Sequence, residues 1–248
     1  MTRAVRDDAK AIEAIERRGI LLVYPIANQD EPRSLWSELH PRTRMTWAWD
    51  ASADARVARM WHLRERLATS LSVAYTKWFR GRATFIALEV FRAMLSRLAS
   101  EGELTAGLSR DATTLLELLE DDSPQSTKVL RANAQLQGRR NETIYARALK
   151  ELWSRLLIVG VGEVADGAFP SLQMSATRLR FEPLWPQGSA EPHPSAADAS
   201  RLDAVLADSP LFARELDKTR RIIRRQQSGV PIANGDGGCV ASGATRIR

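Results

Sequence analysis

LSRDATTLLELLEDDSPQSTKVLRANAQLQGRRNETIYARALKELWSRLLIVGVGEVADGAFPSLQMSATRLRF, residues 108–181, holds three helical patterns followed by a hairpin. Ser109 is a good N-cap with Asp111 in the first turn, and Leu108, Ala112, Leu115, Leu116 and Leu119 recur at helical spacing. Ser123-Pro124 offers a cap and a first-turn proline for a second helix with Val129, Ala132 and Leu136 inside, ended by Gly138. Asn141 then caps a third helix whose Tyr145, Ala148, Leu149, Leu152, Trp153 and Leu156 form one apolar stripe. The period next shortens to that of strands. Leu157-Ile158-Val159-Gly160-Val161 is a buried run, Asp166-Gly167 is a turn signal, and Leu172, Met174 and Ala176 alternate with polar residues.

Three helices and a hairpin are the order of a winged helix-turn-helix, which lays its third helix in the major groove of DNA. At about 100° per residue, Arg140, Thr143, Arg147, Lys150 and Ser154 fall opposite the apolar stripe, a polar and mostly cationic face suited to duplex DNA. The hairpin is a poorer partner for phosphates, since Glu163 and Asp166 precede any cation before Arg178.

Working back towards the amino terminus, Asp7 to Arg18 reads as a helix with Ile12 and Ile15 inside, stopped by Gly19. Ile20 to Ile26 reads as a buried strand, and Pro32 as the first turn of a short helix with Leu35, Trp36 and Leu39. Helical spacing returns from Asp54 to Thr69. A hairpin then runs from Val73 to Ile86 with Arg80-Gly81-Arg82 at its tip, followed by a helix on Leu88, Phe91, Leu95 and Leu98. Arg80 and Arg82, with Lys77 on the strand beside them, add a second candidate phosphate contact. It is expected to contribute as much as the third helix. Five of the seven tryptophans fall between Trp36 and Trp78, where base stacking competes with plain core packing as the explanation.

The expected class is α+β and mainly α. An α+β segment resembling a degenerate winged helix covers 1–104, and a winged helix-turn-helix domain covers 105–184 with packing ending near Leu184. A proline-rich linker takes 185–200, basic C-terminal helices 201–227 and a disordered tail 228–248. Arg220, Arg221, Arg224 and Arg225 make the last helix a candidate contact for a protein partner. A net charge of +6 favours an anionic partner. The lone Cys239 forms no disulfide framework, and no run is apolar enough for a membrane span, so a cytoplasmic location is expected. His40, His62 and His193 are scattered, and no phosphate-cradling loop, nucleophile elbow or zinc signature is present; neither a metal nor a cofactor is expected.

Arg18-Gly19-Ile20-Leu21-Leu22, Ser34-Leu35-Trp36 and Tyr75 to Phe85 carry a resemblance. Together with the order of elements that follows, they resemble the bacterial interstrand-crosslink and alkylpurine DNA glycosylases of the AlkZ (YcaQ) type and their shorter relatives. The resemblance covers about Asp7 to Phe181 and implies a DNA-repair context. In those enzymes a strand after the glycine carries a Gln-x-Asp or Gln-x-Gln signature that holds water and stabilises the sugar cation. Here Leu22-Val23-Tyr24 occupies that register, with neither carboxylate nor amide, while Gln29 and Asp30 lie downstream in a loop. The leading expectation is therefore a DNA-binding protein with no catalytic residue and little sequence preference. A divergent DNA glycosylase and a protein-binding winged-helix module are the alternatives.

Overall fold

The computed structural model describes residues 3–46, 54–167, 170–186 and 195–228. The tail expected to be disordered, Trp47, Trp49 and Cys239 lie outside them, apart from Ser228. The fold is α+β and mainly helical. In the first half, α1 (Arg3–Arg18), β1 (Ile20–Leu22), α2 (Leu35–Leu39), α3 (Ala55–Thr69), β2 (Val73–Thr76) and β3 (Thr84–Ala87) lead into α4 (Leu88–Ala99). The second half runs α5 (Arg110–Asp121), β4 (Gln125–Ser126), α6 (Thr127–Asn133), α7 (Glu142–Ser154), β5 (Ile158–Val164), β6 (Ser171–Ala176) and α8 (Thr177–Arg180), before the C-terminal helices α9 (Ala196–Asp208) and α10 (Pro210–Gln227). Among these elements no helix is long and apolar enough to cross a membrane.

One six-stranded sheet, ordered β1-β3-β2-β5-β6-β4, crosses the expected boundary at residue 104. Its strand pairs are antiparallel and its scheme reads the same from both ends. Each half supplies a hairpin, with the short strand after its first helix added on the outer edge. The halves meet where Tyr75 pairs with Gly160. Glycine is needed there for space, because a Cβ on Gly160 would lie 2.3 Å from Cδ1 of the buried Tyr75 ring.

Several local readings hold and several shift. The Ser109 hydroxyl accepts from the Ala112 amide at 3.3 Å, and Tyr145, Ala148, Leu152, Trp153 and Leu156 are buried beneath α7. The cap of α6 is Ser126 rather than Ser123, because Gln125 and Ser126 first pair with β6 as a strand. That displacement turns the helix, so Leu130 is buried and Val129 is 45% exposed. Asn141 caps no amide with its side chain, which instead donates to the Gln137 carbonyl at 3.1 Å. Arg131 shapes the turn between α6 and α7 by donating to the Leu136 and Gly138 carbonyls at 2.8 and 2.9 Å. In the first half β1 stops at Leu22, and Ser34 rather than a proline-led turn caps α2. Trp36 and Trp78 are core residues, which leaves them no face for base stacking.

Burial does not end near Leu184. Leu202, Phe212, Leu216 and Ile223 of α9 and α10 are at most 1% exposed and join the same core. Phe212 meets Phe79 edge-on with ring centres 5.1 Å apart. Gly19, at φ +78°, ends α1 and lets Val205 approach to where a Cβ would sit 2.5 Å away. Ion pairs from Arg92 to Asp198 and from Arg220 and Arg224 to Glu101 fasten these helices to α4 and the loop after it. Arg155, itself buried, bonds the Leu104 and Ala106 carbonyls and the Gln226 side chain. Two of the four arginines expected to meet a protein partner are thus engaged internally, while Arg221 and Arg225 remain exposed.

Two substitutions test this packing in urea unfolding. Gly160→Ala should cost about 1–3 kcal/mol, since the Tyr75 ring has nowhere to yield. Trp153→Ala should cost about 3–5 kcal/mol, because it empties a buried site. An unchanged midpoint for either would show that the ring concerned is not seated as described.

Candidate nucleic-acid interface and buried polar cluster

The outer face of α7 is set by the stripe beneath it. With Tyr145, Leu152 and Trp153 inward, Thr143, Arg147 and Lys150 must point outward, and all three are exposed. Arg140, in the helical turn just before α7, is exposed too. The Tyr145 hydroxyl donates to the Thr127 carbonyl at 2.9 Å and so fixes α7 against α6. No carboxylate among the described residues pairs with Arg140, Arg147 or Lys150. Ser154 differs, being half-buried with its hydroxyl bonded to the Glu151 carbonyl at 2.9 Å. Ile144, 40% exposed, adds an apolar side chain to the outer surface.

The second predicted set sits on the β2–β3 turn. Arg80 and Gly81 adopt left-handed backbone at φ +52° and +73°, which lifts Arg80 and Arg82 into solvent. The Arg80 guanidinium lies 5.0 Å from the centre of the Phe79 ring and its Nε 3.6 Å from Glu215 of α10. Arg82 has no carboxylate partner among the described residues. Lys77 is half-buried. Burial, with help from Arg64, draws its ammonium below the usual lysine range, against the opposing pull of Glu163. The α7 face and the 80–82 turn belong to opposite halves of the sheet.

Between those halves lies a cluster that the sequence reading missed. Arg64 of α3, 7% exposed, pairs with the buried Glu163 of β5, ninety-nine residues away. Its other arm donates to the Tyr75 hydroxyl at 3.2 Å, and its guanidinium lies over Trp61 at 4.1 Å. Tyr24 stands in the same field. Burial above all, with Tyr75 and Glu163 adding to it and Arg64 working against it, pushes the Tyr24 phenol up to about 12. Burial likewise raises Tyr75 and Tyr145. From sequence Glu163 reads as an acid in the loop region of the hairpin, whereas it lies within β5. Nothing in the sequence spacing names Arg64, ninety-nine residues away, as its partner. Among the described residues no three His, Cys, Asp or Glu side chains gather as a metal site.

Residues 5–167, from α1 through β5, match a family model described as AlkZ related. The chain belongs to the AlkZ-related family. No curated protein and no solved structure matches it. The matched region of this AlkZ-related chain contains both basic sets and the Arg64–Glu163 pair, whereas β6, α9 and α10 follow it. Leu22 and Val23 are wholly buried, so in the register Leu22-Val23-Tyr24 only Tyr24 presents a polar side chain. Leu22, Val23 and Tyr24 carry no carboxylate, and the fold brings the carboxylate of Glu163 from β5 within electrostatic range of Tyr24.

All three tyrosines of the chain have raised phenol pKa values. A raised folded-state value means that the native state holds the phenolic proton more tightly. The associated stability is full below the ordinary value near 10 and is lost as pH climbs through the folded values. Phenolate absorbance should therefore stay flat at pH about 10, where the denaturant-unfolded chain is half-titrated. A native curve overlapping the unfolded one would contradict the burial of Tyr75 and Tyr145 and the partial burial of Tyr24.

Proposed function

We propose that this AlkZ-related protein is a cytoplasmic, non-catalytic DNA-binding protein that holds duplex DNA by its phosphates with little sequence preference. The order α5, β4, α6, α7, β5 and β6 supports a winged helix-turn-helix with α7 as the groove-facing helix, and the first half repeats that order in degenerate form. The observation that carries the reading is the α7 face, where Arg140, Arg147 and Lys150 stand exposed with no carboxylate partner among the described residues. Such cations release counterions from DNA, whereas internally paired ones contribute little. Thr143 is the one uncharged candidate for reading a base edge, because the Ser154 hydroxyl is turned back to its own helix. Arg82 and Arg80 extend the footprint, with Glu215 competing for Arg80.

Fluorescence anisotropy with a mixed-sequence duplex tests this at several salt concentrations. Affinity should fall steeply as salt rises, and Arg147→Ala with Lys150→Ala should reduce the log–log slope by about two, at about 0.9 per lost phosphate contact. Arg80→Ala with Arg82→Ala should reduce it by nearer one, and Glu215→Gln should strengthen binding by freeing Arg80. Salt-insensitive association would instead favour a protein partner for the α6–α7 surface, where Val129 and Ile144 are exposed.

A second reading, a divergent DNA glycosylase, draws on the nearness of Glu163 to Tyr24. The carboxylate is already engaged by the Arg64 guanidinium, which favours the non-catalytic reading. Base release from alkylated duplex DNA in single turnover should stay at background. Robust release that Glu163→Gln abolishes while duplex binding persists would establish the glycosylase instead.

A further inference from the structure

A two-lobed depression, its lobes sharing His40 as a wall, is lined by no residue of either basic face. Its larger lobe, about 510 Å³, lies between α1, α2 and α3, with Leu39, Met60 and Leu63 among its walls. A smaller lobe of about 170 Å³ lies between the turn at 25–30 and the loop at 42–44, and His40 lines both. The larger volume falls in the usual range for small-ligand pockets, about 300–1,000 Å³. The outer loop is pinned: Trp36 Nε1 donates to the Thr43 carbonyl at 2.9 Å, and the Asn28 side chain both donates to and accepts from the Met45 backbone, at 3.0 and 2.6 Å.

The walls are basic where they are polar. Lys10 and Arg59 line the large lobe, Arg42 and Arg44 the small one, and none has a carboxylate partner among the described residues. Arg66 is engaged by Asp8 at 2.7 Å, and Asp7 and Asp30 are the acids on the same walls. Burial first, then Arg56 and Arg59, hold the His40 imidazole below its ordinary range, against Asp54 and Asp7. The ring between the lobes is therefore neutral near pH 7, in a field that its cations dominate. Its other face meets Trp36 edge-on at 4.8 Å.

An arginine fork matches phosphate oxygens, and aliphatic walls take an organic body. We propose that the groove astride His40 binds an organic phosphomonoester, with its phosphate on Arg59 and Lys10 and its body against Leu39, Met60 and Leu63. The site shares no residue with the α7 face or the 80–82 turn, so it stands whether or not duplex DNA binds there. The phosphate could belong to a free nucleotide or to the end of a nucleic-acid strand.

Calorimetric titration of the full chain with adenosine 5′-monophosphate tests the proposal. The nucleotide should bind, and adenosine and inorganic phosphate should each bind at least about tenfold more weakly, since each lacks one half of the recognition. Arg59→Ala and Lys10→Ala should each weaken the nucleotide about tenfold, the loss of one charge-assisted hydrogen bond. Both side chains are exposed, so an unchanged Tm is expected and separates lost contact from lost fold. Arg147→Ala with Lys150→Ala should leave nucleotide binding intact. No nucleotide binding, equal affinity for adenosine or inorganic phosphate, or indifference to both groove substitutions overturns the proposal. A short single strand that binds better with a 5′-phosphate than without identifies a strand end as the source. Nucleotide binding without that preference identifies the free molecule.

Discussion

The two halves of the protein are held in register by a seam one residue pair wide. The Tyr75 ring packs against Gly160 where β2 meets β5, and Arg64 reaches from α3 to Glu163 of β5. The seam combines a steric requirement with an electrostatic one. A side chain at residue 160 would hold the strands apart, and an unpaired Arg64 or Glu163 would leave a charge stranded in the interior, typically worth about 3–5 kcal/mol when one partner is removed. The net value of the intact pair is smaller, because both ions gave up water to form it. Tyr75, Trp61 and Glu163 contact Arg64 from three sides of its guanidinium and so fix where it sits.

Once the seam is fixed, the remaining geometry follows from repetition. Each half contributes a hairpin to a continuous sheet and closes its outer edge with the short strand after its first helix. The hairpin turn with Arg80 and Arg82 and the outer face of α7 therefore come from equivalent architectures but from non-equivalent elements, one the turn of the first half and the other the third helix of the second. The C-terminal helices break this symmetry. They pack on α4, Phe212 meets Trp78 and Phe79 between β2 and β3, and they carry Glu215 to the hairpin turn and Arg220 and Arg224 to Glu101. The two basic sets named from sequence thus differ, the 80–82 turn being partly neutralised by Glu215 and the α7 face having no carboxylate partner among the described residues.

Charge alone therefore does not define an interface in this molecule. Thirty-six basic side chains are nearly matched by thirty acids, and what distinguishes one arginine from another is whether the fold supplies it with a partner. Arg64, Arg92, Arg155, Arg220 and Arg224 are structural cations, spent on carboxylates or carbonyls that hold elements together. Arg147, Lys150 and Arg82 have none among the described residues. Exposed cations keep their water and exchange it for phosphate at little cost, whereas paired ones would first have to be released.

Local sequence determined what depends on neighbours a few residues apart. The stripe of α7 and its cationic outer face, the cap at Ser109, the stop at Gly19, both hairpins and the turn at Arg80-Gly81-Arg82 all follow from periodicity and backbone preference. The lateness of the α6 cap was not legible, because Gln125 and Ser126 become a strand only when β6 is there to pair with them. Where packing ends is not legible in the sequence for the same reason, since an amphipathic helix after a proline-rich stretch does not say what its apolar face will cover. Tertiary structure alone decided that Glu163 meets Arg64 and approaches Tyr24, that Glu215 shadows Arg80, and that Lys77 is drawn inward. Each of these joins residues far apart in the chain, and Coulomb interaction and burial depend on distance through space, which sequence spacing does not encode.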